Sequence, residues 1–321
     1  MLIACVDVAS RRTVTSFALR LAVLLLVYVL AVAGPAKGQE LEARTYSASP
    51  IDTNFAVGIF SNSTGDVSLD LSLPLSGIRP SIDTISLSYT HTFRLAGRTA
   101  SWAVFVPYLG AHVTAALYGR EQSGTRYGFP DARARLAINF LGRALTPAEF
   151  ARKAPSTTLG ASLTVIVPTG TYDPTRFINV GSNRWSFKPE IGAEIPMGKW
   201  FADLSAGLWL FGDNTNYFEG HVLAQSPLAI YQIHTGYTFR PGQWIAVDGN
   251  YYAGGSTSVS GAKPLNALSN VRYGLTFSQP IGAAFSTKLS WSRWASGEYG
   301  QRFTTIAAAL QYRWFDANRR R

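Results

Sequence analysis

Polar and apolar residues alternate strictly along the last part of the chain. Val271, Tyr273, Leu275 and Phe277 are apolar, and Arg272, Gly274, Thr276 and Ser278 stand between them. Phe285, Thr287, Leu289 and Trp291 interleave with Ser286, Lys288, Ser290 and Ser292. Ile306, Ala308, Leu310, Tyr312 and Trp314 interleave with Ala307, Ala309, Gln311 and Arg313. A period of two puts one set on each face of a strand. One face is oily and aromatic, the other small, polar or cationic. A sandwich with its polar face in water would alternate too. The aromatics here lie near strand ends, however, as in the girdles of a membrane-spanning barrel.

The same period recurs upstream. Strands are predicted at 54–61, 82–94, 101–116, 130–141, 157–168, 184–195, 200–211, 227–240, 244–253, 270–279, 285–294 and 304–314. Most reach the roughly 9–11 residues that a spanning strand needs. Their connections alternate in length. Leu95 to Ala100, Pro196 to Lys199, Pro241 to Gln243 and Pro280 to Ala284 are tight Gly- and Pro-bearing turns. The segments 62–81, 117–129, 169–183, 212–226, 254–269 and 295–303 are long. Short turns on one rim and long loops on the other are the mark of outer-membrane barrels, with the short side periplasmic. The expected fold is therefore all-β: a transmembrane antiparallel barrel of about twelve strands over residues 54–315. One short-side connection, Gly142 to Ser156, breaks the rule. Thr146-Pro147-Ala148-Glu149 within it has the form of a capping box with proline at the first helical position. It predicts a short periplasmic helix near 146–153 that plugs or covers the mouth.

The expected interface girdle is Trp102, Trp200, Trp244, Tyr312 and Trp314 toward the short-turn rim, with Phe93, Phe239 and Phe285. Trp185 and Trp291 lie toward the long-loop rim, with Tyr118, Phe211 and Tyr273.

Outside the barrel, residues 1–33 read as a cleaved secretory signal. Arg11, Arg12 and Arg20 form its basic region, Leu21 to Leu30 its apolar core, and Ala31-Val32-Ala33 its cleavage site. Residues 34–53 lack a period and read as a periplasmic lead-in. Residues 316–321 form a basic tail past the last strand. Of the 321 residues only 15% are charged, against about 25% in an ordinary soluble domain. No apolar run after the signal is long enough for a spanning helix. Cys5 is the only cysteine, which rules out disulfides and cysteine-ligated metal in the mature chain.

Charge facing lipid at mid-depth costs about 2–4 kcal/mol per Arg or Lys, so charged strand residues must point inward or sit at a rim. Parity nominates Arg133, Arg135, Arg184, Lys188, Glu190, Glu194, Asp203, Asp248, Asn250, Arg272, Lys288 and Arg313 as lumen-lining. Two readings follow. The cations attract anionic solutes such as aromatic carboxylates, or the mixed charges pair and fill a narrow lumen.

Other chemistry is poorly supported. His91, His112, His221 and His234 form no metalloprotease motif, and no Gly-x-Ser-x-Gly is present. His91 or His234 beside strand serines could imitate the Ser–His pair of a barrel phospholipase. Each reads better as a rim or lumen polar residue, so no catalytic residue is assigned. Gly192 to Lys199 has the wrong spacing for a phosphate loop, with Trp200 where a hydroxyl is needed. Asp213 to Glu219 offers oxygens to calcium but reads as a plain polar loop. No metal or cofactor is expected. Nucleic acid is not an expected partner, because the basic residues are dispersed except for Arg319 to Arg321.

Several stretches resemble the family of outer-membrane transport barrels named for the MetA pathway of phenol degradation. They are Phe129 to Phe140, Leu145 to Phe150, Tyr172-Asp173-Pro174, Ile178 to Glu190 with its Gly181-Ser182-Asn183-Arg184-Trp185 core, Tyr237 to Trp244, and Asp248 to Gly255. The resemblance covers nearly all of the mature chain. It implies an outer-membrane barrel with a transport role and carries over no functional residues. The expected function is passive passage of small molecules, aromatic or anionic, through the outer membrane. A non-conducting structural or lipid-handling barrel is the alternative, and a barrel hydrolase such as a phospholipase the second. The expected partners are outer-membrane lipid, a small-molecule solute and the barrel-insertion machinery.

Overall fold

The computed structural model describes residues 43–68, 75–117, 120–176, 179–218, 220–261, 267–296 and 300–316. The proposed signal, Tyr118 and Arg319 to Arg321 lie outside them. The strands are β1 (Thr53–Ser68), β2 (Leu75–Leu95), β3 (Arg98–Leu117), β4 (Arg120–Gly128), β5 (Ala132–Asn139), β6 (Thr158–Val167), β7 (Ser186–Met197) and β8 (Trp200–Phe211). Then follow β9 (Asn214–Tyr217), β10 (His221–Gln225), β11 (Leu228–Arg240), β12 (Gln243–Gly254), β13 (Thr257–Val259), β14 (Leu268–Ile281), β15 (Phe285–Ser296) and β16 (Gly300–Phe315). The one helix among the described residues, α1, spans Pro147–Phe150.

Every neighbouring pair in the wall is antiparallel, and β1 pairs with β16 from Thr53↔Phe315 to Ser68↔Gly300. The sheet therefore closes into a barrel of 12 staves. Closure removes the exposed edges that lipid could not hydrogen-bond. Both ends of the wall, Thr53 and Phe315, lie together at the short-turn rim.

The fourth stave is broken. β4 pairs with the long-loop half of β3 and β5 with its short-turn half. The break falls at Phe129-Pro130-Asp131, where proline has no N–H to give a ladder. Asp131 instead accepts from the backbone N–H groups of Gly170 and Ser182, at 2.8 and 2.7 Å. The stretch expected as a loop at 117–129 is thus mostly strand, and the strand expected at 130–141 is shorter.

Three further expectations need correction. β1 has 16 residues, not the eight of 54–61. From Ser61 to Asp66 both of its faces are small or polar, so alternation fades while pairing continues. The loops at 212–226 and 254–269 are not plain coil: β9, β10 and β13 make a second, three-stranded sheet. Helix α1 does carry the expected capping box, with Thr146 Oγ1 accepting from Glu149 N and Glu149 Oε2 accepting from Thr146 N at 2.8 Å. It has four residues and buries none of them, so it does not plug the barrel.

The outer wall is a continuous oily belt. Ile85, Leu87, Leu136, Ile191, Ile233, Val247, Leu289 and Ile306 are all exposed on it. In β7 the alternation is complete from Ser186 to Glu190: Ser186, Lys188 and Glu190 are buried while Phe187 and Pro189 are exposed. The apolar clusters lie inside. One joins Ile166, Trp209, Leu228, Ile230 and Tyr252 toward the long-loop end. The other joins Ala43, Phe201, Trp244 and Ala246 toward the short-turn end.

Candidate functional site

Charge is unevenly spread along the lumen. Toward the long-loop end, inward cations lie against aromatic rings. Arg133 is 5.4 Å from the Phe105 ring, Lys188 5.4 Å from Trp209, and Arg272 5.9 Å from Trp294. Arg184, just outside β7, lies 4.8 Å from Phe211 and donates to Gln225 Oε1. Its Nη1 has no hydrogen-bond partner, and burial draws its pKa down to about 10. Arg272 is only 1% exposed and donates to Ser292 Oγ at 2.6 Å.

Toward the middle and the short-turn end carboxylates stand among the cations. Glu190, Glu194, Asp203 and Asp248 are all buried. Glu190 bonds to Lys188 at 2.9 Å and lies 3.9 Å from Arg135. Asp248 accepts from Thr276 Oγ1 at 2.6 Å, and its other oxygen lies 2.6 Å from His234 Nδ1. Asn250 bonds to the Tyr252 hydroxyl at 3.1 Å. Lys288 lies 5.9 Å from the Trp244 ring. Arg313 differs: it is exposed at the short-turn rim, with Nη2 donating to Ala283 O at 3.0 Å. Arg133, Lys188 and Arg272 are all inward, so none faces lipid.

Residues the sequence reading did not nominate complete the site. The segment after Ala43, expected as part of a periplasmic lead-in, runs into the lumen and docks there. Arg44 N donates to Asp203 Oδ2 at 2.5 Å, and its Nη2 lies 2.9 Å from Glu194 Oε1. Its guanidinium lies 4.7 Å from the Phe201 ring. Ser47 Oγ donates to Glu194 Oε2. The Tyr46 hydroxyl donates to Glu190 Oε1 at 2.8 Å and lies 3.1 Å from Ser162 Oγ, while Tyr46 O accepts from Thr158 Oγ1 at 2.6 Å.

The seat of the Tyr46 ring is built by two glycines. Gly160 of β6 and Gly192 of β7 pair directly across the ladder. A Cβ on Gly192 would come within 2.3 Å of the ring, and one on Gly160 within 3.2 Å. Ser162 and Glu190, the next inward pair on the same strands, hold its hydroxyl. A side-chain-free groove thus ends in two acceptors placed for a phenol.

The long-loop mouth is tied by Asn214, which is 1% exposed. Its Nδ2 donates to the Tyr172 hydroxyl at 2.8 Å and to Ser182 O at 3.2 Å, and its Oδ1 accepts from Asn183 at 3.0 Å. Burial raises the pKa of Tyr172, which keeps it a donor and acceptor in this net. Within the loop weighed for calcium, Asn214–Tyr217 form a strand and Asn214 is the tie; no acidic or histidine cluster able to hold a metal occurs among the described residues.

On the outer face, Trp102, Trp185, Trp200 and Tyr312 are exposed near the rims. Tyr312 stacks on Trp314, and Trp291 meets Tyr273 edge-on. Trp244 departs from the expected girdle. It is 5% exposed and packs edge-on against Phe201 inside the barrel. Phe211 likewise faces inward, stacked on Trp209. Parity decides both: Trp244 shares a face with Asp248, and Phe211 with Asp203. His91 faces outward and bonds to Asn54 Oδ1 at 3.0 Å, while His234 bonds to Asp248 inside.

The sequence that builds this closed wall matches a family model described as "Putative MetA-pathway of phenol degradation" over residues 62–312. The chain belongs to this family. Among solved structures, an outer membrane channel from Pseudomonas putida F1 has 19% identity and a TM-score of 0.74, covering 86% of this chain and 100% of its own. The β domain of the Bordetella autotransporter BrkA has 12% identity and a TM-score of 0.52, covering 82% of this chain and 100% of its own. Both are outer-membrane barrels, and the fold of the MetA-pathway chain is theirs. No curated protein matches its sequence.

Proposed function

We propose that this MetA-pathway barrel carries small molecules passively across the outer membrane, with aromatic compounds, and anionic ones among them, as its solutes. The observation that carries the reading is the long-loop half of the lumen. There Arg133, Arg184, Lys188 and Arg272 each stand against an aromatic ring. Such pairs offer a flat apolar surface and a positive charge within a few ångströms, which suits the ring and the carboxylate of one solute. The family's link to phenol degradation supports the same class.

A second reading rests on a separate observation. Side chains from β6 to β14 and the 43–47 segment fill much of the lumen, as Trp209, Ile230, Tyr252 and Arg272 are almost wholly buried. On that reading the barrel is a closed structural element. Planar-bilayer conductance with anion and cation substitution, together with liposome uptake of benzoate, separates the two. Transport predicts a saturable benzoate flux that falls when Arg133 and Lys188 are changed to glutamine. Absence of both conductance and uptake, with the 43–47 segment removed as well as present, would sink the transport reading.

A further inference from the structure

Phe201 and Trp244 meet edge-on, with ring centroids 5.8 Å apart. Glu194 and Asp203 are register partners on β7 and β8 beside them. These four side chains belong to the wall. Into the space between them comes a guanidinium from outside the wall: Arg44 lies 4.7 Å from Phe201 and 6.0 Å from Trp244, and 2.9 Å from Glu194. Two aromatic faces with a carboxylate at the edge are the components of an organic-cation cage.

Two features set this apart from an ordinary internal ion pair. Asp203 Oδ1 is buried with no hydrogen-bond partner, so the cage holds an acceptor that Arg44 does not use. The occupant is also held in an unfavourable backbone state. Arg44 has a φ of 69°, in the left-handed region that non-glycine residues rarely adopt. The cage is built by side chains of the wall, and its tenant is a short segment under strain.

We propose that Phe201, Trp244, Glu194 and Asp203 form a binding site for a guanidinium or alkylammonium group. Arg44 occupies it as an internal ligand, and an organic cation entering from the short-turn end competes with Arg44 and frees the segment. The proposal is independent of which solute crosses the barrel. Its signature is competition: the apparent affinity for an external cation is lowered by the fraction of sites Arg44 already fills.

Titration calorimetry of the refolded full chain with methylguanidinium chloride, against sodium chloride at equal ionic strength, tests it. Arg44→Ala should bind methylguanidinium at least about tenfold more tightly than the native chain. Adding Glu194→Gln or Trp244→Leu to that variant should abolish the binding. Arg44→Gln serves as a second vacated form, and the heat-modifiable gel shift certifies that each barrel is folded. A second readout is thiol labelling at Ala43→Cys, which methylguanidinium should accelerate in the chain that keeps Arg44. No saturable heat in either vacated form, equal affinity with and without Arg44, or equal competition by sodium would overturn the proposal.

Discussion

Gly192→Ala should release the lumenal segment while leaving the wall intact. The added Cβ would lie 2.3 Å from Cε2 and 2.4 Å from Cδ2 of Tyr46, where carbon atoms pack at about 3.5–4.0 Å. The ring must therefore move by more than an ångström. The hydroxyl cannot keep its bonds of 2.8 Å to Glu190 and 3.1 Å to Ser162, because both acceptors are fixed to the same two strands. Burying the ring contributes about 1.5–3 kcal/mol, and a hydrogen bond to a charged acceptor about another 1.5–3 kcal/mol. Losing both shifts the docked-to-free equilibrium by roughly two to four decades. Arg44 and Ser47 remain as anchors, so part of that shift is absorbed. Thiol labelling at Ala43→Cys, a site 1% exposed in the docked state, should speed up at least about tenfold. Single-channel conductance should rise with it. Gly124→Ala, where a Cβ meets nothing within 4 Å, is the control. Unchanged labelling and conductance in Gly192→Ala, with a normal gel shift, would refute the idea that Tyr46 anchors the segment.

Three further outcomes follow from other parts of the molecule. Asn54 bonds to Asp316 at 2.6 Å and to the Tyr89 hydroxyl at 2.6 Å, clamping the seam between the first and last strands. Asn54→Ala should lower the temperature of the heat-modifiable shift, at a cost of about 1.5–3 kcal/mol, and an unchanged midpoint would remove the clamp from the account. Leu136→Arg puts a charge on the lipid face beside Arg135 and should cost about 2–4 kcal/mol by denaturant titration in vesicles, whereas Arg135→Leu should not produce a comparable lipid-face penalty. The capping box of α1 should be acid-sensitive. Bonds from the Thr146 N–H and hydroxyl hold the Glu149 pKa below the usual carboxylate range, so its contribution is present above that range and fades as pH falls through the lowered value. Corrected amide protection at Phe150 and Ala151 should drop on acidification in the native chain and stay flat in Glu149→Gln.

The wall was readable in the sequence because lipid and lumen impose opposite demands on alternate residues. From Val271 to Trp314 that demand holds at nearly every position, and the strands fall where alternation placed them. Where water bathes both faces the demand lapses. Asn62, Thr64 and Asp66 on one side of β1, and Ser61, Ser63 and Gly65 on the other, are all small or polar, so nothing in the pattern marks them as strand. In β10 the apolar residues Val222, Leu223 and Ala224 are consecutive, so no period of two marks it. Pro130 carried a usable signal for the broken stave, since a proline in a central strand argues for an interruption.

The lumenal site was half readable, and the missing half has one cause. Parity finds inward residues on a strand, and it placed Lys188, Glu190, Glu194, Asp203, Asp248 and Arg272 inside. It does not reach the segment at 43–47, which is a turn and not a strand. Arg44, Tyr46 and Ser47 reach Asp203, Glu190 and Glu194 from a turn in which Ser47 N bonds to Arg44 O at 3.1 Å. A turn sends successive side chains in several directions, Thr45 to solvent among them, so it shows no period of two. The trace it leaves is on the partner. Gly160 and Gly192 stand at inward positions of otherwise well-formed strands, where glycine weakens a strand and signals close approach by another group. Gly236, where a Cβ would come within 2.3 Å of the Phe201 ring, is the same signal for the cage. Inward glycines on neighbouring strands are therefore the marks by which a lumenal occupant can be sought in a barrel sequence, and the aromatic and acidic residues next to them give its chemistry.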